Sequence, residues 1–270
     1  MMIGRDFVYE YRGRLDGYEN EVALKAENIC SKIHGFSDLS FEVHRGEILG
    51  FYGLVGSGRT ELVRTILNID HRESGNIYLY GKKVDIKSLK QALKKYKIGY
   101  VTENRKEEGL FLTHSVATNI CINSLENCFT GKSNLISLGK ERNLATQYRN
   151  KLNIKTPSLT VPTGKLSGGN QQKISIAKWL AADCDILIID EPTVGVDIGA
   201  KQYIHDLIWD LAAKEHKTII LISSDMNEMI ALARRILIFK DKKIVRELKG
   251  EDFFALSGSE ISAEIGKAFI

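Results

Sequence analysis

The segment Gly53-Leu-Val-Gly-Ser-Gly-Arg-Thr60 lies between an apolar strand, Glu47 to Tyr52, and a helix whose apolar face is Leu62, Val63, Ile66 and Leu67. A strand, a glycine-rich turn and a helix in that order form a phosphate loop and confine the chain to an α/β fold. Gly53, Gly56 and Gly58 let backbone N–H groups around Ser57 converge on an anion, and the positive end of the helix adds to them, so the nest suits the β-phosphate of a nucleotide. Arg59 stands where the pattern G-x-x-x-x-G-K-[ST] has lysine. The charge is kept, but a planar fork replaces a compact ammonium. Thr60 offers its hydroxyl to Mg²⁺. Glu61 suits the helix dipole yet sits close to where phosphate would rest. Nucleotide binding with inefficient hydrolysis is expected at this loop.

The rest of the chain narrows the setting. With 270 residues, 43% hydrophobic and 27% charged, it is globular, one large domain or two small ones. The net charge of +4 is spread out, and the lysine runs Lys82-Lys83, Lys90 to Lys97 and Lys240 to Lys243 lack the aromatic or arginine interleaving of a nucleic-acid groove. Four cysteines (Cys30, Cys121, Cys128, Cys184) form no C-x-x-C pair and read as reduced thiols. The longest apolar runs, Ile186 to Ile189 and Ile219 to Ile222, are strand-sized, and the charged start has no secretory core. Neither a membrane span nor export is expected.

In chain order, residues 1–21 read as a linker and regular structure begins at Val22. The runs Leu39 to Val43, Glu47 to Tyr52 and Asn76 to Tyr80 read together as a small antiparallel sheet around the phosphate loop. A lysine-rich helix near Lys87 to Lys95 and a strand Lys97 to Val101 lead into the charged turn Thr102 to Leu110, and charged turns at strand ends meet ligands and partners. Strand signals then vanish and helical spacing takes over to about Ala182, which predicts an inserted helical subdomain over about 104–182. Ser167-Gly168-Gly169 at a helix start is a second N-terminus able to receive phosphate. Residues 251–270 read as a helical extension.

The octet Leu166-Ser-Gly-Gly-Asn-Gln-Gln-Lys173 resembles the signature of ATP-binding cassette proteins, and Asp185-Ile-Leu-Ile-Ile-Asp190-Glu191-Pro-Thr193 resembles their Walker B segment. The resemblance implies a P-loop cassette fold with a mixed sheet core, an antiparallel β-subdomain and a helical subdomain, spanning residues 22–250. It implies ATP and Mg²⁺ as ligands. Thr60 and Asp190 would hold the metal, Glu191 would polarise the attacking water, and Leu166, Ser167, Gly168, Gly169, Asn170 and Gln171 would complete the site of a partner cassette. Asp197 matches the D-loop through which two cassettes sense each other. Ser224 takes the switch position where such proteins usually place histidine.

Gly58-Arg-Thr-Glu-Leu62, Glu103-Asn-Arg-Lys106 and Gly195-Val-Asp-Ile-Gly-Ala-Lys201 are similar to the second cassette of bacterial monosaccharide importers of the ribose, galactose and xylose type, and Met2-Ile-Gly-Arg5 resembles the segment joining the two cassettes. By that resemblance Glu103 is the Q-loop residue, standing where the family has glutamine. The implied partners are a second cassette, transmembrane permease subunits and, indirectly, a sugar-binding protein, with the chain peripheral on the cytoplasmic face of the membrane. The charged turn around Glu103 to Leu110, with Arg105 and Lys106, is expected to dock the permease. The chain is expected to be an ATPase whose isolated activity is weak and whose own phosphate site is degenerate. Two alternatives remain: a regulatory cassette that binds nucleotide without hydrolysing it, and a soluble cassette ATPase outside transport. No adenine-stacking residue is assigned.

Overall fold

The computed structural model describes residues 20–130, 135–249 and 258–267. The linker residues 1–19, with the Met2 to Arg5 resemblance, lie outside them, as do 250–257 and 268–270 of the C-terminal extension.

Five parallel strands build the central sheet: β3 (Ile48–Gly53), β6 (Ile98–Val101), β9 (Ile186–Asp190), β10 (Thr218–Ser223) and β11 (Arg235–Lys240). An antiparallel edge strand, β12 (Lys243–Leu248), completes the order β12-β11-β3-β10-β9-β6. β3, β6, β9 and β10 are buried along their whole length, which is why they read as nearly continuous apolar runs rather than alternating ones. Leu49, Phe51, Ile188 and Ile222 face one core, while Ile48, Leu187, Ile189 and Ile219 face the other. Register aligns Tyr52 with Ser223, Ile222 with Asp190 and Ile189 with Val101, so the carboxyl ends of four strands meet along one edge. Ligands of open α/β sheets bind at that edge.

A separate sheet of order β2-β1-β4-β5 is antiparallel throughout and comprises β1 (Val22–Ser31), β2 (Phe36–His44), β4 (Ser74–Leu79) and β5 (Lys82–Val84). The expected antiparallel sheet is therefore present, but Glu47 to Tyr52 does not belong to it. That strand pairs in parallel with β10 and β11 instead. Burial on both faces, visible in Ile48, Leu49, Phe51 and Tyr52, requires a central position that an antiparallel surface sheet does not offer. Phe41 meets Phe51 edge-on at 5.0 Å and Phe51 meets Phe239 at 4.9 Å, which locks the two sheets together.

Helix α1 (Arg59–Ile66) follows β3, and α2 (Leu89–Tyr96) precedes β6. Between β6 and β9 come a single π-type turn (Arg105–Gly109), α3 (Val116–Cys121), α4 (Leu138–Lys151) and α5 (Gly168–Leu180). A two-residue ladder, β7 (Phe129–Thr130) with β8 (Leu135–Ile136), interrupts this helical stretch where no strand was expected. Serines start three of the helices: Ser88, Ser115 and Ser137 accept the backbone N–H of Gln91, Thr118 and Lys140. Helices α6 (Ile198–Ala213) and α7 (Met226–Leu232) flank β10, and α8 (Gly258–Lys267) buries Ile261 and Ile265. Asp241 and Lys242 turn the β11–β12 hairpin with φ of 47° and 61°.

Candidate functional site

The phosphate loop forms as its glycines require, though each glycine answers a different demand. Gly56 and Gly58 adopt φ of 81° and 103°, a region costly for residues with a Cβ. Gly53 ends β3 with ordinary φ, and a Cβ there would lie 2.6 Å from the Phe239 carbonyl oxygen. It is a packing glycine, where an anion-facing one was expected. A Cβ on Gly58 would lie 3.1 Å from Lys242 Cα, and Lys242 N–H donates to Ser57 O at 3.0 Å, so the β11–β12 hairpin braces the loop from behind. A bulky residue at 58 would thus disturb the hairpin and the backbone as well as any phosphate.

Behind the loop, β9 ends in Asp190, which is fully buried. Its Oδ2 accepts the Tyr100 hydroxyl at 3.1 Å, and its Oδ1 has no hydrogen-bond partner. Burial pushes this carboxyl up to about 7. The Thr60 and Tyr100 hydroxyls oppose the shift, and the negative charges of Glu103 and Glu191 add to it. An orphaned buried carboxylate oxygen beside a hydroxyl fits a magnesium ion, which takes one or two protein oxygens and leaves its other positions to phosphate and water. No cluster of three or more His, Cys, Asp or Glu side chains suited to a metal occurs among the described residues.

Glu191 follows in a left-handed conformation, φ 43°, and is buried. Strain of this kind costs about 1–3 kcal/mol and persists only where neighbours impose it. Here they do: Glu191 Oε1 accepts the Ser224 backbone N–H at 2.8 Å and lies 3.4 Å from Arg59 Nη1. Burial pushes the Glu191 carboxyl up, and Ser224 and Arg59 pull it back. Arg59 is itself buried, so this ion pair is sealed from solvent. Glu61 and Glu103 border the same region, Glu103 exposed.

The second helix N-terminus lies apart. Ser167 precedes α5, accepts Asn170 Nδ2 at 2.9 Å, and opens on a cavity of about 410 Å³ lined by Lys155, Gly169, Lys173, Asp197, Ala200 and Tyr203 among others, with no residue of 53–60. Asn170 Oδ1 accepts the Lys155 N–H, and Gln171 Nε2 donates to Leu166 O. Asp197 caps α6 by accepting the Ala200 N–H at 2.9 Å. A Cβ on Gly169 would stand 2.5 Å from Ala200 Cβ, so this glycine lets α5 and α6 meet. The structure therefore joins Arg59, Thr60, Asp190, Glu191, Glu103 and Ser224 in one place, and Ser167 to Gln171 with Asp197 in another.

One member of the expected docking turn is misplaced: Arg105 is buried and points inward, donating to Val194 O and Gly195 O, while Glu103, Lys106, Glu107 and Glu108 of the same turn are exposed. Sequence reasoning also missed Tyr100 and Lys178. Tyr100 carries a hydroxyl in a fully buried strand, which requires a partner. Lys178 lies in a buried helix, where its ammonium donates to Gly109 O at 2.5 Å and burial lowers its pKa to about 8.

Comparison with known proteins agrees with this geometry. The family model for ABC transporters matches residues 36–194. The chain is 42% identical over 252 residues to a putative ribose/galactose/methyl galactoside import ATP-binding protein of Burkholderia lata, covering 93% of this chain and 48% of that protein. It is 40% identical over 250 residues to the ribose import ATP-binding protein RbsA of Lacticaseibacillus paracasei, covering 93% and 49%. The chain thus spans about half the length of the curated relatives it matches. Among solved structures, a nucleotide-free ATP-binding cassette from an ABC transporter superposes with a TM-score of 0.75 at 19% identity, over 92% of this chain and 99% of that one. A dimeric cassette in a post-hydrolysis state with ADP and Pi gives 0.70 at 24% identity, over 84% and 98%. At these identities the superpositions establish the fold, which is the cassette architecture expected from the sequence.

Proposed function

The chain belongs to the ABC transporter family, and we propose that it is the ATP-binding cassette of a monosaccharide importer, working with a second cassette and a transmembrane permease fed by a sugar-binding protein. In this reading residues 22–250 form the cassette, about 104–182 its helical part, and 251–270 an extension. The curated relatives' names motivate the sugar class. In this reading the chain sits as a peripheral subunit on the cytoplasmic face; no helix among the described residues is long and apolar enough to cross a membrane.

At this chain's own loop the backbone around Gly56 to Gly58 would hold phosphate, and Thr60 and Asp190 would hold magnesium, which when bound neutralises phosphate charge. Glu191 is placed to orient water as a base. Its Oε1, however, is taken by the Ser224 N–H and faced by Arg59, and Ser224 brings no imidazole to the γ-phosphate. That sealed Arg59–Glu191 pair is the observation that carries the reading. The own site binds nucleotide and turns it over slowly, while the signature of this chain, open on its cavity, completes the faster site on the partner cassette.

The test is uptake of labelled ribose or galactose by vesicles holding the assembled transporter. Ser167→Arg would drive a cation into the signature cavity and should lower uptake about a hundredfold, the cost of one lost transition-state contact. Glu191→Gln should cost only a few-fold by comparison. Equal losses at matched expression would show that both sites hydrolyse and sink the asymmetry. The same ion pair also favours a purely regulatory cassette, and in that case neither variant would change ATP turnover.

A further inference from the structure

We propose that Arg105 is a positioning residue that yokes the turn after β6 to the two elements this chain lends to its partner's ATP site, namely the start of the signature helix and the Asp197 loop. The inference rests on the reading above. The guanidinium donates through Nη1 to Val194 O at 2.7 Å and through Nη2 to Gly195 O at 2.9 Å, just before Asp197. Such a fork on two successive carbonyls fixes direction as well as distance. The same Nη2 occupies the space that side chains at two glycines would need: a Cβ would lie 3.0 Å away at Gly168 and 3.2 Å away at Gly195. Gly168 and Gly195 are themselves in contact, since a Cβ on Gly168 would stand 2.5 Å from Gly195 O. The signature start, the Asp197 loop and the arginine therefore form one packed unit.

The opposite end of the yoke is equally tied. Arg105 opens the π-type turn, a form that often marks functional sites. Glu108 in that turn meets Arg64 of α1 at 3.2 Å, and the Gly109 carbonyl accepts Lys178 of α5. Lys106, Glu107 and Phe111 stand exposed on the outer side. A push delivered to that outer side moves Arg105, and Arg105 cannot move without shifting Val194, Gly195 and Gly168. An apolar side chain at this junction would avoid the desolvation penalty of a buried guanidinium but would leave the Val194 and Gly195 carbonyls without these bonds, so the arginine holds that loop in place by satisfying it.

The experiment compares wild type, Arg105→Gln and Arg105→Lys in the assembled transporter, measuring ATP turnover with and without permease, together with thermal unfolding. Arg105→Gln should lower the permease-stimulated kcat about a hundredfold, as misplacement by an ångström does, with KM for ATP held within about twofold. Arg105→Lys, which reaches one carbonyl rather than two, should recover part of the stimulation. Stimulation that persists in Arg105→Gln, or kcat and KM that worsen together, would overturn the proposal alone. Loss of the folded state in both variants would overturn it too, by making Arg105 a stability element. A wild type whose turnover ignores the permease would refute the importer reading and the proposal with it.

Discussion

Asp190 gives the sharpest quantitative handle on the nucleotide site. Its carboxyl, pushed up to about 7 by burial against an ordinary value of 3.8, must lose a proton before Oδ1 can take a metal. A group with that midpoint is about nine-tenths ionised at pH 8 and about one-tenth at pH 6. Magnesium-dependent affinity for ATP should therefore fall about tenfold, or about 1.4 kcal/mol, from pH 8 to pH 6. Affinity measured in EDTA lacks this contribution. The terminal phosphate of the nucleotide titrates near pH 6 as well, but it does so equally in Asp190→Asn, so the difference between the two proteins isolates the carboxylate.

The sign for stability follows from the same shift. The fold favours the protonated carboxyl, so its contribution is complete below about pH 4 and is lost as pH rises towards about 7. Metal-free wild type should accordingly lose stability relative to Asp190→Asn across that window, and Mg²⁺ with ATP should restore it above pH 7. Calorimetric titration at pH 6 and 8 and thermal unfolding at pH 4, 6 and 8 check both halves. Identical pH dependence in wild type and Asp190→Asn would refute the placement of Asp190 as a buried, metal-ready acid.

Two further substitutions test the scaffold around the site. His205 Nε2 and Glu228 Oε1 meet at 2.8 Å in full burial between α6 and α7, so His205→Ala should cost about 3–5 kcal/mol by stranding the carboxylate. For a chain of this size that lowers the unfolding temperature by about 6–20 °C, and a loss below about 1 kcal/mol would disprove the coupling. Gly53→Ala, whose Cβ would strike the Phe239 carbonyl at 2.6 Å, should destabilise more than Gly56→Ala, whose Cβ meets nothing within 4 Å and whose cost is confined to its φ of 81°. Thermal unfolding showing the reverse order would refute the packing role of Gly53.

What the sequence made legible was local. The phosphate loop needs only a strand, three glycines and a helix close together, and each of those signals is self-contained in Glu47 to Leu67. The acidic end of β9 and the Ser-Gly-Gly start of α5 are short-range in the same sense. Pairing is not: whether Glu47 to Tyr52 joins a parallel or an antiparallel sheet depends on β10 and β11, far along the chain. Arg105 looked like a surface charge because its partners lie 89 and 90 positions away, and Lys178 finds Gly109 across 69. Composition places charged residues outside by default, so buried charges with distant carbonyl partners are the features that one-dimensional reading loses.

Charge arrangement separates the two helix N-termini in a way their similar backbones do not. At the phosphate loop the charges of Glu103 and Glu191 act on Asp190, and the Arg59 guanidinium lies 3.4 Å from Glu191. A phosphate entering there without a divalent cation meets repulsion that the helix dipole, worth about 0.3–1 kcal/mol at an exposed end, does not offset. At the start of α5 the balance reverses. Lys155 and Lys173 share the cavity with Asp197, and burial together with the Lys155 charge pulls the Lys173 pKa down. A depressed ammonium in a cavity regains its preference for the proton when an anion arrives. Under the importer reading proposed above, nucleotide would enter this chain's loop together with magnesium, whereas the signature cavity, with Lys155 and Lys173 on its lining, would close over ATP already held, with its metal, by another cassette.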